Sequence, residues 1–159
     1  MKSNDYILKM IDDPDDELRE AVHFELRTHN EISSPVYWQA SGLGENRPLP
    51  LSLFAFDRDQ VVVGGLFGST QFAWLKIEVM ATRKDLRGQG IGTMLVRQAE
   101  RVGIGRGCKY SFVDTMQFQA PEFYEKLGYH IVGRLEDWDS HGHAKLFLTK
   151  QLGPKSPTQ

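Results

Sequence analysis

The 159-residue sequence holds a single cysteine, Cys108, so neither an intramolecular disulfide nor a cysteine-rich zinc shell is available. A reducing compartment is expected, with the cytoplasm as default. No charge of one sign dominates, since 19 Lys plus Arg stand against 21 Asp plus Glu. Phosphate-driven nucleic-acid binding needs a strong positive surplus, and nucleic acid is not expected as a partner. Long apolar runs are missing too. The longest, residues 61–67, is broken by Gly64 and Gly65 and falls far short of the roughly 20 residues that cross a bilayer, so no membrane partner is expected. The opening segment carries Asp5, Asp12 and Asp13 among its apolar positions and does not read as a signal peptide.

What is present is ordinary globular material: 40% hydrophobic and 25% charged residues form a core at this length without a covalent or metal staple. One domain is expected over residues 1–152, with residues 153–159 as a disordered tail. Periodicity predicts a strand at 6–11, a helix over 15–29 with an acidic first turn, and a loop over 31–50 holding a helical turn near 36–40. Strands follow at 51–56, 61–67 and 72–81 as an antiparallel meander. A helix over 90–102, a strand at 110–114, a short helix from Pro121 to Leu127 ended by Gly128, and strands at 129–135 and 144–149 complete the chain. The fold class is α/β (α+β), a mixed, mostly antiparallel sheet of about seven strands flanked by about four helices, without repeats.

The most informative stretch is Arg87-Gly88-Gln89-Gly90-Ile91-Gly92, placed where a strand gives way to a helix. Glycines let the backbone approach a ligand, and first-turn N–H groups have no partner inside the helix, so an anion fits there. A dinucleotide fingerprint fails at Thr93 and Leu95, and no Gly-Lys-Ser/Thr triplet is present. Nicotinamide binding and ATP hydrolysis are both disfavoured.

Taken with Met80-Ala81-Thr82 before it and Phe123-Tyr124-Glu125-Lys126-Leu127-Gly128-Tyr129 about 35 residues after it, the loop resembles the GNAT superfamily of acyl-CoA-dependent N-acetyltransferases. The element order is similar as well, over roughly residues 6–152, and residues 114–128 resemble a subgroup of small bacterial members of unassigned acceptor. The resemblance implies acetyl-CoA as co-substrate. It places the main-chain N–H groups of Gly88, Gln89, Gly90, Ile91, Gly92 and Thr93 around the pyrophosphate, with Arg87, Arg83 and Lys84 against its charge. Met80, Ala81 and Thr82 would follow the pantetheine arm, and Tyr124 would act as general acid to the departing thiolate. Many members carry Asn seven residues before that tyrosine; here the position is Gln117, which either still donates to the pantetheine or has lost the contact. Dimers are common in the family, and no residue pattern here decides for or against a homodimer.

Transfer to an amine needs the amine neutral, which for a lysine-like group at pH 7 costs about 4.6 kcal/mol. Glu78, two residues before Met80, is the leading base or else a holder for the ammonium, with His143 and Asp114 as alternatives. Asn30, Glu78 and His143 are the candidate acceptor-binding residues, with His29, Tyr37, Trp38 and Trp138 as further candidates for the acceptor pocket. His141-Gly142-His143 lacks further ligands at a recognised spacing, so no metal is expected. Cys108 reads as a small buried residue. The expected acceptor is a primary amine of a small molecule, an amino-sugar antibiotic or a peptide. The alternative is a non-catalytic acyl-CoA-binding regulatory domain.

Overall fold

The computed structural model describes residues 6–153, so all but the first residue of the expected tail lies outside the described residues. The chain divides between Glu45 and Asn46 into two units. In the first, α1 (Asp16–Ser33) is capped by Asp15, whose carboxylate accepts the Leu18 N–H at 2.9 Å, and Asp16 and Glu17 occupy its first turn, where the helix dipole favours them. It runs past the expected end at residue 29. Helix α2 (Pro35–Gly42) starts on a proline suited to the first turn, and it replaces the single turn expected near 36–40. Residues 6–11, expected as a strand, have no strand structure, and Ile7, Leu8 and Met10 are exposed. An apolar run becomes a strand only when a neighbour completes its ladder.

The second unit is a six-stranded sheet in the order β1-β2-β3-β4-β6-β5: β1 Leu49–Phe56, β2 Val62–Gln71, β3 Trp74–Thr82, β4 Tyr110–Met116, β5 His130–Leu135 and β6 Lys145–Gln151. With four α-helices among the described residues, the fold is the mixed, mostly antiparallel one expected. Among the described residues, only β3 and β4 pair in parallel. Helix α3 (Ile91–Gly105) sets Leu95, Val96 and Ala99 against the inward positions of the sheet, among them Leu66, Leu75, Ile77 and Leu148. The short α4 (Pro121–Lys126) adds Tyr124 to the same core. Among the described residues, no helix is long and apolar enough to cross a membrane.

Two details of this sheet prepare a site. Residues 74–77 of β3 pair with residues 110–113 of β4 and the pairing then stops, although β3 continues to Thr82 and β4 to Met116. In the β2–β3 ladder Phe67 faces Val79 while Gly68 faces Ile77, so Glu78 is the extra residue of a bulge, a device that bends a strand and re-aims its side chains. Gly68 makes room for it: a Cβ there would lie 2.3 Å from the Lys76 carbonyl oxygen. Gly68→Ala is therefore expected to destabilise the protein by roughly 1–3 kcal/mol. In thermal unfolding that is a fall of several degrees, larger than for Ser69→Ala next to it, whose side chain is only half-buried.

Candidate active site

Where β3 and β4 part, a cleft of about 830 Å³ opens, a size that suits an extended small-molecule ligand. It gathers residues 77–82 of β3, Leu86 to Gly88, the first turn of α3, residues 113–115 of β4 and the approach to α4. Of the residues expected from the sequence, Glu78, Met80, Ala81, Thr82, Arg87, Gly88, Gly90, Ile91, Gly92, Thr93 and Tyr124 line it. Gln89 lies between two lining glycines without lining the cleft itself.

The turn before α3 depends on its glycines, because Gly88 and Gly90 sit at φ +80° and +84°, a region L side chains rarely adopt. No side chain caps α3, and Met94 donates the first helical bond, to Gly90 O at 2.9 Å. The N–H groups of Ile91, Gly92 and Thr93 therefore have no acceptor within the helix, and with the helix dipole they form a site for an anion. Arg87 lines the same cleft with its guanidinium unpaired among the described residues. Arg83, expected beside it, is already matched: its Nε is 2.9 Å from Asp85 and its Nη1 3.7 Å from Asp57.

Tyr124 is held between two rings, edge-on to Phe123 at 5.1 Å and to Tyr129 at 5.7 Å, and only 5% of it is exposed. Its hydroxyl has no protein partner among the described residues and is not sealed from the cleft. Burial, with the Asp114 anion as a lesser cause, pushes the phenol up to about 12. Tyr124 thus keeps its proton throughout the physiological range.

Glu78 stands in a wetter place. Its carboxylate accepts from Ser69 Oγ at 3.2 Å and lies 3.7 Å from Lys76 Nζ, and it is partly exposed at the bulge. Asp114 also lines the cleft, but Lys145 Nζ holds it at 2.7 Å, beneath the Trp138 ring at 4.9 Å, which leaves it the less available of the two carboxylates. His143 does not line the cleft. Its Nδ1 is 2.7 Å from Asp139, and its ring meets Phe118 edge-on at 5.0 Å, so Phe118 rather than His143 reaches the cleft. Asn30 lies in α1, where its main-chain carbonyl takes the Ser34 N–H at 2.9 Å.

Of the two glutamines before α4, Gln119 lines the cleft and Gln117 does not. The Gln117 carbonyl oxygen takes the Ala144 N–H at 3.2 Å and an Arg134 N–H at 3.4 Å, so this residue braces the start of β6 and is absent from the cleft lining. Gln119 lines the cleft instead. Its carbonyl oxygen accepts from Met116 N–H at 2.8 Å and Thr115 Oγ1 at 3.1 Å, which leaves its amide N–H groups free to donate to a ligand. Pro121 two residues on, which starts α4, was the available signal that residues 117–120 turn. Cys108 is buried, and burial raises its thiol, unlike a nucleophile. Among the described residues, no group of three or more His, Cys, Asp or Glu gathers to hold a metal.

A family model described as Acetyltransferase (GNAT) family matches residues 12–129. Blasticidin-S acetyltransferase of Streptomyces morookaense is 33% identical over 131 residues, which is 80% of this chain and 96% of that protein. A crystal structure of an acetyltransferase from Bacillus cereus superposes with a TM-score of 0.71 at 27% identity, covering 91% of this chain and 98% of its own. An aminoglycoside 6'-N-acetyltransferase complexed with coenzyme A shares the fold at a TM-score of 0.62 and 20% identity, over 93% of this chain and 100% of its own. The family match runs through the glycine turn and both walls of the cleft, and this chain belongs to the GNAT family of acetyltransferases.

Proposed function

We propose that this protein is an N-acetyltransferase that moves the acetyl group of acetyl-CoA directly to a primary amine, with Tyr124 as general acid and Glu78 as base. The observation that carries this reading is that one cleft holds both an anion-receptive helix start and a buried, protonated, unpartnered phenol. The first-turn N–H groups of α3 and Arg87 suit a pyrophosphate. Beyond Ile77 the β3 main chain has no β4 ladder, so amide groups of Met80 to Thr82 are available to an extended arm and, at the thioester, to the oxygen on which charge develops. Gln119 replaces Gln117 as the side-chain donor to that arm.

The chemistry balances with two protons. Glu78 takes one from the acceptor ammonium, directly or through water, so that the neutral nitrogen bonds to the acyl carbon. Tyr124 gives one to the sulfur as the carbon–sulfur bond breaks, and the phenolate it leaves recovers, directly or through water, the second proton that the nitrogen sheds as the amide forms, while Glu78 passes its proton to solvent. A phenol near 12 is protonated at every working pH, while a carboxylate at a wet bulge is able to exchange with solvent. The similarity to a blasticidin-S acetyltransferase makes amine-bearing antibiotics the first acceptors to try.

Acetyl-CoA at about 100 times its Kd should stabilise the protein by roughly 2.7 kcal/mol, a thermal shift of several degrees. The same sample should then release thiol with one member of a panel of blasticidin S, an aminoglycoside and a lysine peptide. Absence of any shift removes the acyl-CoA reading, and a shift without release on any amine favours the binding-domain alternative. Arg87→Gln should raise the acetyl-CoA KM about tenfold, the loss of one charge-assisted contact.

Tyr124→Phe should lower kcat on the order of 10²-fold with little change in the acetyl-CoA KM. The pH dependence follows from the raised phenol. The acid form persists below about 12, so kcat/KM rises with pH as the amine loses its proton and shows no descending limb near the ordinary tyrosine value of about 10. A descending limb centred near 10 would show that burial leaves the phenol at its ordinary value.

A further inference from the structure

We infer, on the reading that Tyr124 is the acid, that Tyr129 is a positioning residue: its bond to Ser111 sets the direction in which the Tyr124 hydroxyl enters the cleft. Tyr129 is 1% exposed and lines no part of the cleft, so it touches no reacting atom. Two contacts tie it to Tyr124. Its N–H donates to the Tyr124 carbonyl at 3.1 Å, and the two rings meet edge-on at 5.7 Å and 72°.

The other end of Tyr129 is anchored in the rigid part of the sheet. Its hydroxyl shares a 2.8 Å hydrogen bond with Ser111 Oγ, which is fully buried on β4. Ser111 faces Leu75 across the β3–β4 ladder, two residues before that ladder ends. The face of the Tyr129 ring lies 5.5 Å from Lys150 Nζ on β6, and both oxygens of Glu100 on α3 grip that ammonium, at 2.8 and 2.9 Å. One ring is thus fixed by β4 at its hydroxyl and by β6 and α3 at its face.

Tyr124 needs such a fixture because its own helix is only six residues long, and a helix of that length has little stability of its own. On its other side Phe123 closes against Gly92, where a Cβ would stand 3.3 Å from the ring. The catalytic phenol therefore sits between a ring packed on the first turn of α3 and a ring bolted to β4. Phenylalanine at 129 would fill the same space. The hydroxyl adds a directional bond between buried groups, and burial raises this phenol well above its usual value, so it stays neutral and bonded at any working pH.

The test is a double-mutant cycle with the fastest amine of the panel above, measuring kcat and the acetyl-CoA KM for Tyr129→Phe and Ser111→Ala, alone and combined with Tyr124→Phe. Each single variant should lower kcat about tenfold, as misplacement of a reacting group does, with KM within about twofold. Neither should lower kcat further once Tyr124 is Phe, because their effect runs through its hydroxyl. Unchanged kcat in the single variants, or losses that multiply in the Tyr124→Phe background, overturn the inference and leave Tyr129 a packing residue. A Tyr124→Phe enzyme at the wild-type rate defeats the acid assignment instead, and that single variant shows it separately. A readout independent of turnover is the Tyr124 ring resonance in tyrosine-labelled Ser111→Ala, where both rings remain. It should shift or broaden, and an unmoved resonance counts against the inference.

Discussion

The β3–β4 ladder stops after Ile77 and Val113 while both strands run on, and the cleft exists because of that stop. A continued parallel ladder would bond the main chains of Met80 to Thr82 to β4 and close the space between them. The bulge at Glu78 shifts the facing of β3 by one residue. Ile77 and Met80, three apart, therefore both turn toward α3, with Ile77 in the core and Met80 packed against it. Gly68 lets the partner strand pass the Lys76 carbonyl. A local irregularity in one ladder thereby opens an otherwise regular sheet next to the start of α3.

The cleft supplies two unlike environments for protons. Tyr124 is dry, and desolvation holds its proton in place. Glu78 is wet, with one serine hydroxyl and a distant ammonium as partners. Asp114 and Lys145 form a matched pair beside them, so the cleft does not carry a second unbalanced carboxylate. Arg83 is likewise spent on Asp57 and Asp85, and Arg87 is the cation that lines the cleft beside the main-chain N–H groups of the turn.

Several of these features were legible in the residues. Positive φ at Gly88 and Gly90 is a local backbone requirement, and glycine is its usual answer, so the turn and the helix behind it were readable. Pro121 and Gly128 bracket the short helix that carries Tyr124, and both act within a few residues of themselves. The residues were less legible where a partner elsewhere in the fold decides. Residues 6–11 look like a strand but have no ladder. Gln117 sat at the expected spacing from Tyr124, yet Ala144 of the following hairpin claims its carboxamide. Arg83, expected beside Arg87, is paired with Asp85 two residues on and, more loosely, with Asp57 across the fold.

The amino-acid sequence by itself determined the kind and order of the elements of the sheet unit, the glycine turn before α3 and the tyrosine-bearing α4, because hydrophobic period, capping and turn chemistry act over a few residues. Only the tertiary structure decided where β3 and β4 part, which carboxylate is neutralised, which glutamine faces the cleft and that the Tyr129 hydroxyl meets Ser111. Those outcomes depend on pairs such as Ser111 and Tyr129, 18 residues apart, or Gln117 and Ala144, 27 apart. No local window of sequence contains both partners, and which of them meet is settled by strand register and by the packing of α3 and α4 on the sheet.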